Sequence, residues 1–295
     1  MPKPSTLIKV TSVLFVAALL CLSYAYFIEP DRLVVNRYEI KIDGWNPAFD
    51  GFRVALIGDI HSGSAYIDEE KLRKIVTMTN AENVDAIFLL GDYVSQNRAD
   101  RSMRMDPEVL AYALQGLRAR YGVFAVLGNH DEWSNPQAVV EALERVGYKV
   151  LNGELAEVNL SNGAKLRILG LPDHTTMGIW RNYSGNARRV TAPTEGTGDL
   201  IVLQHSPDVI PAITGELAIS NDIKIMFAAH THGGQVRLPV IGAPVVPSMF
   251  GQKFTRGFVK DSGINIFVTS GIGTSILPLR FLVTPEIAVV TLRST

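Results

Sequence analysis

Five short motifs hold the residues with chemical potential: Asp59-Ile60-His61, Gly91-Asp92, Gly128-Asn129-His130-Asp131, His205, and Ala229-His230-Thr231-His232. Together they offer carboxylates, one carboxamide and imidazoles. That mixture suits divalent Mn, Fe, Zn or Ni better than Mg or Ca, and imidazole also moves protons near neutral pH. In an extended chain residues i and i+2 project from one face, so His230 and His232 can aim at one point. Of the six histidines, only His174 stands outside these motifs. Taken singly, each motif is also what a turn or a solvated loop looks like.

Their common position argues against that reading. Each motif ends an apolar run: Phe52–Asp59, Val84–Asp92, Val123–Asp131, Asp199–Asp208 and Asp222–His232. Such runs read as buried strands, and open α/β sheets bind ligands beyond the carboxyl ends of their strands. Between the runs lie helix patterns. Asp68 is a cap before Leu72, Ile75 and Val76; Asp106 and Pro107 open a second helix that Gly122 stops; Asn135-Pro136 and Gly147 bound a third. The alternation predicts an α/β first half. In the second half Asn162-Gly163, between alternating runs, predicts a hairpin. Residues 178–198 read as a polar loop, and 236–295 as short strands and turns.

The chain has 295 residues, 47% hydrophobic and 19% charged, which fits a globular protein. Its net charge of −1 gives a nucleic-acid partner no bulk attraction. The single Cys21 excludes an intramolecular disulfide and a zinc–thiolate cluster. From Val10 to Ile28 there are 19 residues without a charge, enough to cross a bilayer as a helix. Lys3 and Lys9 precede the run, so the positive-inside rule puts the N-terminus in the cytoplasm and the rest outside. A cleaved signal peptide, with Ser23-Tyr24-Ala25 as its cleavage site, competes. The run's length and the aromatic belt of Tyr24, Tyr26 and Phe27 favour an uncleaved single-pass anchor. The expected division is an anchor at 1–30, a spacer with an edge strand at 31–50, and one domain at 51–295.

The motif set resembles the calcineurin-like metallophosphoesterases over residues 52–232. The stretches His230–Pro239 and Ser270–Leu292 resemble a bacterial membrane-associated branch, which includes phosphodiesterases and UDP-2,3-diacylglucosamine pyrophosphatases of lipid A biosynthesis. The resemblance implies a layered α/β/β/α sandwich, two mixed sheets flanked by helices. It implies two divalent metal ions: one held by Asp59, His61 and His232, the other by Asn129, His205 and His230, with Asp92 bridging. A hydroxide bridging the ions would attack phosphorus in line. His130 would be the general acid and Asp131 would orient its ring. Two departures stand out. Ala229 replaces a usual Gly, and Tyr93-Val94-Ser95-Gln96-Asn97 replaces the Asp-Arg-Gly of protein phosphatases. The second argues against a protein phosphatase and leaves the phosphate-gripping arginine unassigned.

Further expectations attach to single residues. His174 and Arg280 are candidate substrate contacts, with Arg256 a weaker one, and Trp133 and Trp180 are expected in the core. The expected activity is hydrolysis of phosphodiester or pyrophosphate bonds, on a lipid-linked or cell-envelope substrate such as a UDP-diacylglucosamine-like molecule. Because pyrophosphatases of that branch act on the cytoplasmic side, an external domain favours an envelope phosphodiester. The alternatives are a non-catalytic metal-binding adaptor, from which lost ligands would be expected, and a broad phosphomonoesterase.

Overall fold

The computed structural model describes residues 4–97, 99–160, 162–176 and 178–295. Its strands form two six-stranded mixed sheets. The first has the order β1 (Val34–Ile42), β12 (Glu286–Ser294), β2 (Phe52–Ile57), β3 (Ala86–Leu89), β4 (Val123–Ala125), β5 (Lys149–Val150). Strands β2 to β5 run parallel, and β12 pairs antiparallel with β2. The second sheet has the order β10 (Gly257–Asp261), β11 (Ile264–Val268), β9 (Ile223–Ala228), β8 (Asp199–Leu203), β7 (Lys165–Gly170), β6 (Glu154–Asn159). Its four central strands are parallel and both edges antiparallel.

The period-2 alternation of side chains decides how the layers stack. Val54 and Leu56 of β2, with Ile201 and Leu203 of β8 and Ile225 and Phe227 of β9, form the core between the sheets. Ala55 and Ile57 face outward, under α2 (Glu69–Ala81), α3 (Pro107–Leu114) and α5 (Pro136–Arg145). Leu200, Val202, Met226 and Ala228 face the other way, under α6 (Trp180–Thr191) and α7 (Ile210–Ile213). Strands buried on both faces must be apolar throughout, which is how they read in the sequence. The result is the expected α/β/β/α layering.

Helix α1 (Pro4–Phe27) stands apart, with most of its side chains exposed. The span Ile8–Asp31 is apolar and long enough to cross a membrane.

The segment 31–50 carries the expected edge strand, β1, which pairs in register with β12 along its whole length, and it also buries Trp45 and Phe49 between the sheets. Two expectations need correction. The helix opened by Asp106 ends at Leu114 rather than near Gly122, because Gly116 takes φ +100, outside the helical region. The supposed polar loop at 178–198 contains α6. It buries Tyr183, Ser184, Ala187 and Thr191, a stripe at helical spacing diluted by polar and arginine residues.

Candidate metal centre

The loops that leave β2, β3 and β4 continue the sheet's pairing beyond the strands. The backbone N–H of Asp59 donates to Gly91 O (3.0 Å), that of His61 to Asp92 O (2.9 Å), and that of Ser62 to Tyr93 O (2.8 Å). This brings the first two motifs side by side. Gly91 sits at φ +84, where a Cβ would lie 2.4 Å from the Gly128 nitrogen, and a Cβ on Gly128 would lie 2.3 Å from Asp92 Oδ1. Each of these two glycines is therefore a packing requirement of the other's motif. Across the sheets, His230 N–H donates to Asp59 Oδ1 (3.0 Å), and the His205 ring nitrogen Nδ1 bonds Leu90 O (2.8 Å). That second bond leaves His205 Nε2 facing the site.

Five of the expected ligands hold left-handed backbone: Asp59 (φ 51), His61 (49), Asp92 (55), His230 (72) and His232 (52). Non-glycine residues seldom adopt this region, and such strain concentrates at functional sites. Ala229 is not among them; the chain turns at the histidines instead. An alanine is therefore accommodated where the family pattern has glycine.

The ligand atoms converge as two groups sharing one carboxylate. Asp92 Oδ2 lies 3.5 Å from His61 Nε2 and 3.3 Å from His205 Nε2. His61 Nε2 lies 3.1 Å from His232 Nε2, and His205 Nε2 lies 3.2 Å from His230 Nδ1. Asp59, His61 and His232 form one cluster able to hold an ion, and Asp92, His205 and His230 another. Asp59 Oδ2 and Asn129 Oδ1 are buried without a hydrogen-bond partner. Buried polar atoms are normally paired, since desolvation without a bond is costly. Divalent cations would supply the missing partners, so the donor set fits metal ions.

Electrostatics point the same way. Burial lowers the His61 imidazole to about 4 and His230 to about 3, and drives His232 well below its ordinary range. All three stand neutral near pH 7, the form that binds metal. Burial raises Asp59 to about 7 against the pull of His205. Burial also pushes the Asp92 carboxyl up, but His205 and His61 outweigh it and hold it well below the usual range. His205 is the counterpart: burial lowers it, while Asp92 and Asp59 carry it up to about 10. The two groups, 3.3 Å apart, thus favour each other's charged forms.

His130 sits at the open side of the centre. Its backbone N–H donates to Asp92 Oδ1 (2.8 Å), its ring is 4.8 Å from the His61 ring, and its Nδ1 has no partner. Asp131 does not orient that ring. Its Oδ2 accepts from the N–H groups of Asp92 (2.8 Å) and Gly128 (2.9 Å), and its Oδ1 from Tyr93 (2.9 Å) and Val94 (3.1 Å). With both oxygens occupied by backbone, Asp131 positions the Asp92 loop. Arg280 is likewise unavailable to substrate. It is fully buried, and its guanidinium donates to the carbonyls of Gly273 (2.6 Å), Ser270 (2.9 Å) and Val283 (3.3 Å).

His174 lies near the site, its ring 6.5 Å from that of His230. It borders a small pocket lined also by Ile179, Trp180 and Tyr183. Trp133, expected in the core, is 55% exposed and stands 5.3 Å from the His130 ring. Sequence reasoning passed over Asp173, which is fully buried, 3.7 Å from the His174 ring; its charge is felt by both His205 and His230. The only signal was its place beside His174.

Several known proteins are similar to this chain. The family model for calcineurin-like phosphoesterases matches residues 52–234. The metallophosphoesterase YkuE of Bacillus subtilis is 30% identical over 273 residues, 92% of this chain and 90% of its own. The phosphodiesterase YaeI of Escherichia coli is 25% identical over 272 residues, 91% and 92% of the two chains. A zebrafish (Danio rerio) transmembrane protein with a metallophosphoesterase domain is 24% identical over 271 residues, 90% of this chain and 58% of its own. Among solved structures, a 5'-nucleotidase precursor from Thermus thermophilus superposes with TM-score 0.48 at 14% identity, covering 81% of this chain and 54% of that one, so the chain spans about half its length. The chain belongs to the calcineurin-like phosphoesterase family. It is a metal-dependent phosphoric ester hydrolase.

Proposed function

We propose that this protein is a binuclear phosphodiesterase or pyrophosphatase held at a membrane by α1. The observation that carries the reading is the position of Asp92 Oδ2, within 3.5 Å of His61 and 3.3 Å of His205, each paired with a further histidine. One carboxylate oxygen between two imidazole pairs is the arrangement a bridging ligand needs. Asp59, His61 and His232 would hold one ion, Asn129, His205 and His230 the other. Bound ions of this kind lower the pKa of coordinated water towards about 7 and neutralise charge on the phosphoryl oxygens.

The chain's own groups do the rest. Asp131 and the glycines of its motifs hold the Asp92 loop in its strained shape. His130, partly exposed at the open side and free of Asp131, is placed to protonate the leaving oxygen. The relative named a phosphodiesterase supports a diester over a monoester. The anchor and the charge bias around it support a lipid-linked or cell-envelope substrate on the external side.

The test is metal analysis of the full chain in detergent, alongside bis-p-nitrophenyl phosphate, p-nitrophenyl phosphate and a pyrophosphate diester as substrates. Two ions per chain and preference for the diester or pyrophosphate are expected. A single ion per chain, or hydrolysis of the monoester alone, would overturn the reading. A reporter fused after Thr295 decides the side of the membrane.

A further inference from the structure

The stretch Ile276-Leu277-Pro278-Leu279-Arg280-Phe281-Leu282 is apolar apart from the buried Arg280, yet Ile276, Leu277, Pro278 and Leu282 are exposed. Leu277 is 53% exposed and Leu282 47%. Leu282 also takes φ +56, an uncommon conformation for leucine. Water gives no reason to spend strain on presenting such side chains outward.

The loop's connections supply one. Arg280 N–H donates to the Ala25 carbonyl of α1 (3.0 Å), and Leu282 N–H to the Glu29 carboxylate (2.8 Å). Glu29 itself is buried against the body. On another side, the Tyr66 hydroxyl donates to the Tyr26 carbonyl. The end of α1 is therefore bonded to the body through this loop. Tyr24, Tyr26 and Phe27 mark the level at which an anchor meets the headgroups. Ala25 lies within that belt, about 4.5 Å before the end of the uncharged run at 1.5 Å per residue. A loop bonded to Ala25 stands at the same height. The inner side of the loop is tied to the segment that follows the metal-centre histidines: Gln235 accepts from Ser275 N–H (2.8 Å) and donates to Leu277 O (2.7 Å). Gln235 follows His232 by three residues, a reach of at most about 10 Å.

We infer that the 276–282 loop is a second membrane contact, which lays Leu277 and Leu282 into the bilayer interface beside α1 and holds the metal centre near headgroup height. The partner is the lipid bilayer. Continuity with the apolar helix, to which the loop is bonded at Ala25 and again at Glu29 just beyond its end, favours it over a second copy of the chain. The inference rests on the reading of α1 as an anchor, and the same experiment tests that reading separately.

The full chain is labelled at its single cysteine, Cys21, with a fluorophore and reconstituted into phosphatidylcholine–phosphatidylglycerol vesicles containing acyl-brominated lipid. Three further forms carry Cys21→Ser with Leu277→Cys, Leu282→Cys or Gln137→Cys, the last on the exposed face of α5. Loss of fluorescence to brominated lipid is expected at 21, 277 and 282, and quenching only by aqueous iodide at 137. Lipid quenching at 21 with iodide quenching at 277 and 282 would keep the anchor and overturn the loop contact. No lipid quenching at 21 would overturn both. Labels at 277 and 282 shielded from lipid and iodide alike would show a second copy on the loop, which also overturns it. Both leucines are exposed, so unchanged Tm values are expected for the variants.

Discussion

Two buried charges brace the metal centre from different sides, and they do it in opposite ways. Asp131 sits behind the first sheet's loops and accepts four backbone N–H groups. Arg280 sits behind the 270–283 loops and donates to three backbone carbonyls. The first region is a tight turn whose N–H groups converge, and it needs an acceptor; the second exposes carbonyls inward, and it needs a donor. Burial and the neighbouring Asp92 push the Asp131 carboxyl up to about 7, while its backbone bonds pull it back. Burial lowers Arg280 to about 10, so it remains a cation near neutral pH. The lesson is that a charged residue near a site can serve the backbone rather than the substrate. The two braces also differ in what they hold: Asp131 grips the loop of the shared ligand Asp92, whereas Arg280 grips the loop joined to α1.

That contrast can be broken by substitution. The reference is His130, next to Asp131 in sequence but outside its bonding. His130→Gln is expected to lower turnover by about 10²- to 10⁴-fold while metal content by elemental analysis stays near wild type. Loss of the metals in this variant would make His130 a ligand or a structural group instead. Asp131→Asn turns an amide N–H towards backbone donors and loosens the Asp92 loop. Metal affinity should fall by about 10- to 100-fold, and excess metal should restore part of the turnover. Unchanged affinity would remove Asp131 from the support of the centre.

Arg280→Met should act mainly on stability. It leaves the carbonyls of Ser270, Gly273 and Val283 unpaired, at about 1–3 kcal/mol for each buried group. A fall in Tm is expected, with metal affinity close to wild type by titration; a larger loss of affinity than in Asp131→Asn would erase the distinction between the braces. Gly91→Ala tests the backbone contact beside the first brace. A fall in Tm beyond the strain of a left-handed alanine is expected, because the added Cβ would meet the Gly128 backbone at 2.4 Å. A loss no larger than that strain would show that the motifs do not depend on this close approach. The strain of a left-handed alanine costs about 1–2 kcal/mol, and any further loss measures how firmly Gly128 resists the added Cβ.

Much of the site was legible because its residues end strands of parallel βα units. There the local signals agree: an apolar run, a glycine, a ligand, then a capped helix. Asp68, Asp106 and Asn135 all cap helices, as their positions suggested. Helix α6 was harder to read, since its buried stripe of Tyr183, Ser184, Ala187 and Thr191 is too polar to stand out among its arginines. Strand β1 was visible as a strand but not as part of the core, because its partner β12 lies about 250 residues away. Asp131 and Arg280 were misread for a related reason. Their types and places suited chemistry, and only the backbone atoms around them show that their bonding capacity is used.

The sequence by itself determined the apolar N-terminal run, the βα alternation and the convergence of carboxylate, amide and imidazole donors at strand ends. These follow from local periodicity and from the rule that parallel strands deliver their loops to one edge. The stacking of the two sheets decided which donors meet. His232 faces His61 while His230, two residues away, faces His205, because left-handed turns at both histidines aim the rings apart across Asp92. No spacing rule contains that outcome. It depends on where the loops of one sheet stand against the loops of the other.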